Sequence, residues 1–144
     1  MAIYGVGAAY GRNVDVAPSF IAKGIACVGW DEKKSPSLHG MLAHIKTGDL
    51  IYIKSHPPQV GLIIKAVGVV ISSGPKRFKK LGKGIRVRWT WRGDRRMGKI
   101  MDKYAVRNLT LYEEFNPKIQ STVIDLLLQA PQPSASNRAH RRRV

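Results

Sequence analysis

The side chains best suited to chemistry in this 144-residue sequence are its cations, which concentrate in the second half of the chain. Residues 73–144 hold most of the 25 lysines and arginines, whereas the nine carboxylates are divided about evenly between the halves. A net charge of +16 attracts polyanions, and nucleic acid is the commonest polyanion inside cells. The predicted phosphate-binding residues of this half are Lys76, Arg77, Lys79, Lys80, Arg86, Arg88 and Arg92.

Residue types that commonly carry catalysis or bind metals are sparse. His39, His44 and His56 lack metal-ligand spacing. The single cysteine, Cys27, excludes an internal disulfide framework and a cysteine-rich zinc site, and it lies in an apolar stretch where a thiol is usually inert. No pair of carboxylates accompanies a nucleophile. The sequence therefore predicts a protein without catalytic residues, a metal site or a cofactor.

The elements that must position these groups are organised around a central hairpin. Residues Leu50–Ile53 and Leu62–Ile71 are rich in β-branched side chains, which favour strands. A Gly48-Asp49 turn precedes them, and Pro57 and Pro58 interrupt them because proline cannot donate a ladder hydrogen bond. The pattern predicts two antiparallel strands, of which the second is long and buried on much of both faces.

Short helices are predicted between the early strands. The predicted elements before the hairpin are a strand at Ala2–Tyr10, a helix near Ser19–Lys23, a strand at Ile25–Trp30 and a helix within Pro36–Lys46. Those after it are a basic loop at Ser73–Lys83, a strand at Ile85–Trp91, a polar turn at Gly93–Arg96, a strand at Leu109–Tyr112 and a helix from Pro117. Alternation predicts one face of the strand after the basic loop to hold Ile85, Val87, Trp89 and Trp91, with Arg86 and Arg88 on the other.

Composition divides the chain into one domain and a tail. Residues 1–130 have the length and apolar content of a single folded domain, whereas residues 131–144 are polar, proline-containing and basic, as disordered tails are. No apolar run is long enough for a membrane span, and the N-terminus lacks the pattern of a signal peptide. We expect a cytoplasmic protein that does not enter a membrane.

Together these elements predict an α+β fold, a small mixed β-barrel with short helices between the early strands and a helix at the C-terminal end. The order of the segments GIACVGW, TGDLIYIKS and IKAVGVV resembles the PUA-like superfamily, and within it the EVE and YTH-type domains. The shared features are Gly29-Trp30 after the second strand, the Gly48-Asp49 turn and the strand around Ala66–Val69. The resemblance covers Ala2–Tyr112.

The resemblance implies a non-enzymatic protein that captures a single flipped or unpaired base of DNA or RNA, often a modified one, in a pocket beside the barrel. Such a base needs an aromatic face, polar partners and cations for the flanking phosphates. The predicted pocket residues are Trp30, Tyr10, Ser55, His56 and Asn13, and Arg12 and Lys54 are further predicted phosphate-binding residues at its mouth. Trp30 is equally consistent with a core residue, and alternation explains Trp89 and Trp91 better as core residues.

Two other function classes stay open at this stage. One is an enzyme that acts on a nucleoside or a modified base, like hydrolytic relatives of the PUA-like barrel, and a deep pocket with a buried lysine–acid pair would favour it. The other is a basic interaction protein, an inhibitor or adaptor, that binds an acidic protein partner. Stoichiometric binding to a protein that nuclease treatment leaves unchanged would favour that class.

Overall fold

Eight strands and three α-helices form the residues that the computed structural model describes, 1–101 and 106–129. The strands are β1 (Ile3–Gly7), β2 (Ala9–Tyr10), β3 (Val14–Asp15), β4 (Ile25–Val28), β5 (Leu50–Ser55), β6 (Leu62–Phe78), β7 (Gly82–Gly98) and β8 (Leu111–Glu113). The helices are α1 (Ala17–Lys23), α2 (Pro36–His44) and α3 (Pro117–Gln129), and a 3₁₀ helix spans Val106–Asn108. The predicted tail, residues 131–144, lies outside the described residues.

Six strands form one curled sheet in the order β4-β7-β6-β5-β1-β8, and β2 pairs with β3 separately. Strand β1 runs parallel to β5, whereas the other neighbouring strands of the large sheet are antiparallel. The parallel pair is possible because α1, β4 and α2 lie between β1 and β5 in the chain, which gives room for a crossover. The architecture confirms the α+β class, and the curled sheet is consistent with a small mixed barrel.

Both faces of the sheet are buried in the region of the central hairpin. Along β5, Ile51 and Ile53 belong to a first core cluster, whereas Leu50 and Tyr52 belong to a second. Helices α1 and α2 contribute to the first cluster, and α3 packs on the second through residues such as Ile119. Along β6, Ala66 and Val70 belong to the first cluster, whereas Leu62 and Ile64 belong to the second. This confirms the predicted burial of the second hairpin strand on both faces, and it explains why its sequence is apolar almost without interruption.

The hairpin of β6 and β7 is much longer than predicted. Strand β6 continues through the first part of the predicted basic loop to Phe78, and β7 continues through the predicted turn at Gly93–Arg96 to Gly98. The two strands shift register several times, and such bulges accommodate Gly74, Pro75 and Gly93 within the ladder. The predicted turn is therefore wrong, and the predicted loop is correct only at residues 79–81, which join the two strands. The bulges allow residues that usually end strands to remain in them.

One bulge separates two tryptophans that were predicted to share a face. Val67 pairs with Trp91 and Gly68 pairs with Trp89, so Thr90 is an extra residue in β7. Trp89 packs against the first core cluster as a result, and Trp91 packs against the second. The predicted single apolar face is wrong from Trp91 onward, because an inserted residue reverses the alternation.

The other elements agree with prediction except at their ends. The predicted first strand is divided into β1 and β2, and the strand predicted at Ile25–Trp30 ends at Val28. Helix α1 begins before the predicted Ser19, whereas α3 begins at Pro117 as predicted. Proline is favoured in the first turn of a helix because its missing N–H has no partner to lose there.

Gly5 allows β8 to pack closely on β1, and a Cβ at this position would overlap the ring of Tyr112. We expect Gly5→Ala to lower the free energy of unfolding by about 1–3 kcal/mol, because the 1 % exposed tyrosine cannot move aside. Gly40→Ala in α2 is the matched control, since nothing lies within 4 Å of a Cβ there. Urea denaturation of both variants checks the prediction, which an equal loss at the two positions would contradict.

Candidate functional site

A cavity of about 620 Å³ lies at the carboxyl ends of β1 and β5. These strands pair in parallel from Ile3 with Leu50 to Gly7 with Lys54, so the segments that follow them meet at one edge of the sheet. The volume falls within the range of roughly 300–1,000 Å³ that is typical of small-molecule sites. The polar residues of its wall are Asn13, Asp15, Lys54, Ser55, His56, Lys65, Arg107, Asn108 and Thr110.

The cavity brings together four of the residues predicted to bind a base or its phosphates. Asn13 comes from the turn between β2 and β3, where it adopts a left-handed conformation with a φ of 61°. Ser55 and His56 follow Lys54 at the end of β5. The His56 Nδ1–H donates to Asn108 Oδ1 over 3.2 Å, which joins the imidazole to another residue of the wall. The wall therefore presents hydroxyl, amide and imidazole groups, which can each form hydrogen bonds with the edge of a heterocycle.

Lys54 supplies a positive charge to the cavity wall. Its Nζ donates to the backbone carbonyl of Arg107 over 2.7 Å, and burial lowers the pKa of its amine below the ordinary value of 10.5. In the part of the chain that the structure describes, no carboxylate forms an ion pair with this amine. An anionic group in the cavity would therefore meet a charge that none of the described carboxylates pairs with.

A buried polar network supports this wall from behind. Glu114, which is 1 % exposed, accepts bonds from Arg107 Nε at 3.1 Å and from Arg107 Nη2. The Tyr52 hydroxyl also donates to Glu114 Oε1 over 2.6 Å and lies 2.8 Å from the Tyr112 hydroxyl. Burial raises the pKa of both tyrosines, so they stay protonated. Because Lys54 binds the Arg107 carbonyl, the network also positions the lysine.

The sequence prediction missed Arg107, Asn108 and Thr110, which line the cavity, and Glu114 behind it. The segment carrying them enters β8, which pairs with β1, and the Gly7 N–H donates to the Thr110 carbonyl over 2.7 Å. Glu114 follows Glu113 directly in the sequence. Which of these two glutamates is buried depends on how β8 and the residue after it pack. The adjacent acidic pair after an apolar strand was the only sequence signal.

Trp30 lies outside the cavity wall but is bonded to it. Its indole Nε1 donates to Thr110 Oγ1 over 3.1 Å, and its backbone carbonyl accepts a bond from His39 Nε2 over 2.7 Å. The side chain is 56 % exposed, so the alternative that Trp30 is a core residue is wrong. Trp30 therefore presents an aromatic face to solvent at the margin of the cavity.

Tyr10 is partly buried against the first core cluster and is not on the cavity wall. Its hydroxyl donates to the Leu81 carbonyl over 2.7 Å, and its ring meets Phe20 edge-on with 6.2 Å between centroids. Burial raises the pKa of Tyr10. The ring also packs against the backbone of Gly29, where a Cβ would lie 2.9 Å from it. Tyr10 thus supports the residue that precedes Trp30.

The cations predicted to bind phosphate are divided between the two faces of the sheet. Arg92 and Lys65 line a smaller groove that adjoins the cavity and shares Asp15 with it, and Lys65 Nζ is 2.5 Å from Asp94 Oδ1. This bond lowers the pKa of the Asp94 carboxyl. Arg88 pairs with Val69 and alternates with first-cluster residues, so it points to the face that α3 covers.

The other predicted cations lie farther along the β6–β7 hairpin. Arg86 places its guanidinium 5.6 Å from the centroid of the Phe78 ring. Arg77 lines a separate open groove with residues of the β4–α2 connection. The exposed cations of the hairpin end are Lys76, Arg77, Lys79 and Lys80, and Arg12 is exposed in the turn beside Asn13. Of the predicted phosphate-binding residues, Arg12, Lys54 and Arg92 are therefore nearest to the cavity.

The cysteine and the other side chains that could bind a metal show no arrangement for catalysis or metal binding among the described residues. Cys27 is fully buried, and burial raises the pKa of its thiol to about 12. Across residues 1–101 and 106–129, no group of three or more His, Cys, Asp and Glu side chains could hold a metal ion. None of the described helices has the length and apolar composition needed to cross a membrane.

Comparison with known proteins gives a likeness of fold. No protein-family model matches the chain, and no curated protein matches it in sequence. The NMR structure of Rpa0253 from Rhodopseudomonas palustris is similar, with a TM-score of 0.50 and 11% sequence identity over 88% of this chain and 92% of that one. At this identity the similarity shows a shared α+β arrangement and nothing about function.

Proposed function

We propose that this protein binds nucleic acid and takes a single flipped or unpaired base, modified or unmodified, into the cavity at the ends of β1 and β5. The observation that carries the proposal is the meeting of Asn13, Ser55 and His56 on one wall beside the Lys54 amine. The fold we propose for it is PUA-like of the EVE type, in keeping with the curled sheet and the sequence resemblance. The proposal includes a cytoplasmic location.

The cavity has the chemical groups that an unstacked base requires. Ser55 and Asn13 can each donate and accept hydrogen bonds, so they can pair with a base edge of either polarity. Ile53, Pro57 and Pro58 supply apolar surface for the faces of the ring. The Lys54 amine and the adjoining Lys65 and Arg92 can contact flanking phosphates, and the net charge of +16 favours approach of the strand.

The enzyme alternative finds less support in the cavity. Lys54 donates to a carbonyl oxygen, and the buried carboxylate of Glu114 is paired with Arg107. The lysine–acid pair that would favour hydrolysis is thus not formed among the described residues. An acidic protein partner remains an outcome of the binding experiment. A protein complex that survives nuclease treatment would show that the ligand is a protein and not nucleic acid.

The proposal is tested by purifying the protein at low salt and identifying any bound nucleic acid by sequencing and mass spectrometry. A uniform population of fragments enriched in one base would support it. We then expect Ser55→Ala and His56→Ala to weaken binding of that base more than of the other bases. Protein that binds neither DNA nor RNA at low salt would overturn the proposal.

Lys54→Met should weaken binding of a mixed-sequence single-stranded oligonucleotide by about tenfold or more, because a hydrogen bond to a charged group contributes roughly 1.5–3 kcal/mol. Lys118→Met is the matched control, since Lys118 is exposed on α3 away from the cavity. Fluorescence anisotropy at constant salt measures both. Equal affinities of the two variants would contradict a role for the cavity lysine.

The same lysine predicts how binding depends on pH. Its pKa lies below 10.5, and only the protonated amine attracts phosphate, so affinity should fall as the pH rises through this lowered pKa. In Lys54→Met, the part of the affinity loss at alkaline pH that comes from deprotonation of Lys54 should be absent, and the part that comes from other groups should remain. Anisotropy titrations across the alkaline range check the difference between the two curves.

A further inference from the structure

We propose that Trp30 is a stacking platform for the nucleotide next to the captured base. The inference rests on the proposed function and extends it: the ligand is a single-stranded segment of at least two nucleotides, with one base in the cavity and its neighbour on the indole. It gives a function to an exposed aromatic residue that the cavity itself does not use.

The first observation is that Trp30 is exposed and yet held in place. The side chain is 56 % exposed, but the indole is bonded to Thr110 and the backbone carbonyl is bonded to His39. The bond to Thr110 joins residues 80 positions apart in sequence, so it depends on the tertiary fold, whereas the bond from His39 joins residues 9 positions apart. A ring that is oriented before the ligand arrives loses little conformational entropy on binding, which favours affinity.

The second observation is the support beneath Trp30. The ring of Tyr10 lies so close to Gly29 that a Cβ there would come within 2.9 Å of it. The Tyr10 hydroxyl is in turn bonded to the Leu81 carbonyl over 2.7 Å. The backbone that leads into Trp30 therefore rests on a partly buried aromatic residue that is itself held by a hydrogen bond, which limits movement of the platform as a whole.

The third observation is the position of the indole relative to the cavity. Thr110 both lines the cavity and accepts the indole hydrogen bond, so the indole is in direct contact with a residue of the cavity wall. Trp30 is not itself part of that wall, and the apolar surface inside comes from Ile53, Pro57 and Pro58. A base in the cavity would contact those residues, and the adjacent base of the same strand would reach the indole.

The experiment compares wild-type protein with Trp30→Ala, using the four nucleoside 5′-monophosphates and the homotrinucleotides of the same bases as probes. Loss of base–aromatic stacking in the variant should weaken trinucleotide binding by about 5- to 150-fold. The monophosphates should bind both proteins equally. Trp30→Phe, which keeps an aromatic face but loses the bond to Thr110, should restore part of the trinucleotide affinity. The melting temperature of Trp30→Ala should stay close to that of wild type because the side chain is largely exposed.

The outcomes separate this inference from the proposed function. Trinucleotide binding that Trp30→Ala leaves unchanged would overturn the platform alone, as would an equal loss for monophosphates and trinucleotides. The latter result would place Trp30 against the captured base. Wild-type protein that binds none of the probes, including the trinucleotides, would overturn the proposed function and the platform together.

Discussion

Replacing Glu114 by alanine should lower the free energy of unfolding by about 3–5 kcal/mol, which is the usual cost of removing one partner from a buried ion pair. The Arg107 side chain is 4 % exposed and forms two bonds to this carboxylate. Without it, the buried guanidinium would lose two hydrogen bonds and the negative charge of this carboxylate, and the Tyr52 hydroxyl would lose an acceptor. Chemical denaturation of wild type and variant measures the difference.

Two variants test this explanation. Glu113→Ala changes the neighbouring carboxylate, which is partly exposed, and should cost far less. The double variant Arg107→Met with Glu114→Leu removes both charges, so it should be more stable than Glu114→Ala alone. A double variant that is less stable than the single one would show that the lost hydrogen bonds, and not the lost charge of the carboxylate, account for the destabilisation.

The network behind the cavity links stability to the site. The Arg107 carbonyl that accepts the Lys54 bond belongs to the residue whose side chain binds Glu114. Loss of the carboxylate should therefore disturb the lysine as well as the fold. For this reason Glu114→Ala is a test of stability, whereas Lys54→Met, which removes the amine and its bond to the Arg107 carbonyl but leaves the Arg107–Glu114 pair, is the test of binding.

The sequence predicted the central hairpin well because its signals are local. A Gly48-Asp49 turn, β-branched runs and the Pro57-Pro58 interruption each act on the backbone where they stand. The prediction failed for the length of β6 and β7 and for the faces of the β7 tryptophans, because a bulge depends on the partner strand as well as on the bulged residue. Thr90 carries no mark of being extra, yet its insertion moves Trp91 to the opposite face from Trp89.

The candidate site shows the same division. Asn13, Ser55 and His56 were predicted together, and they meet because β1 and β5 are parallel neighbours whose carboxyl ends share one edge. Asn108 and Thr110 were missed because they reach that edge from the approach to β8, some fifty residues later in the chain. Local sequence patterns do not predict residues that reach the cavity only through long-range strand pairing. Tyr10 was predicted for the pocket, and the structure places it against Phe20 instead.

Binding to nucleic acid should weaken by roughly 10³–10⁵-fold between 50 and 200 mM salt if the basic surface neutralises six to ten phosphates. The net charge of +16 makes a value in this range the expected result. Dissociation constants measured at one temperature over a series of salt concentrations give the slope of log affinity against log salt concentration. A flat dependence would remove phosphate contacts as the main source of affinity.

The two faces of the sheet allow the same measurement to locate the strand. Arg92 lies in the groove beside the cavity, whereas Arg88 points to the face that α3 covers. If a base enters the cavity, the phosphates should follow the groove, so Arg92→Ala should reduce the slope by about 0.7 on single strands. Arg88→Ala should leave it nearly unchanged. The opposite result would place the phosphates on the α3 face, and the cavity could then not receive a base from the bound strand.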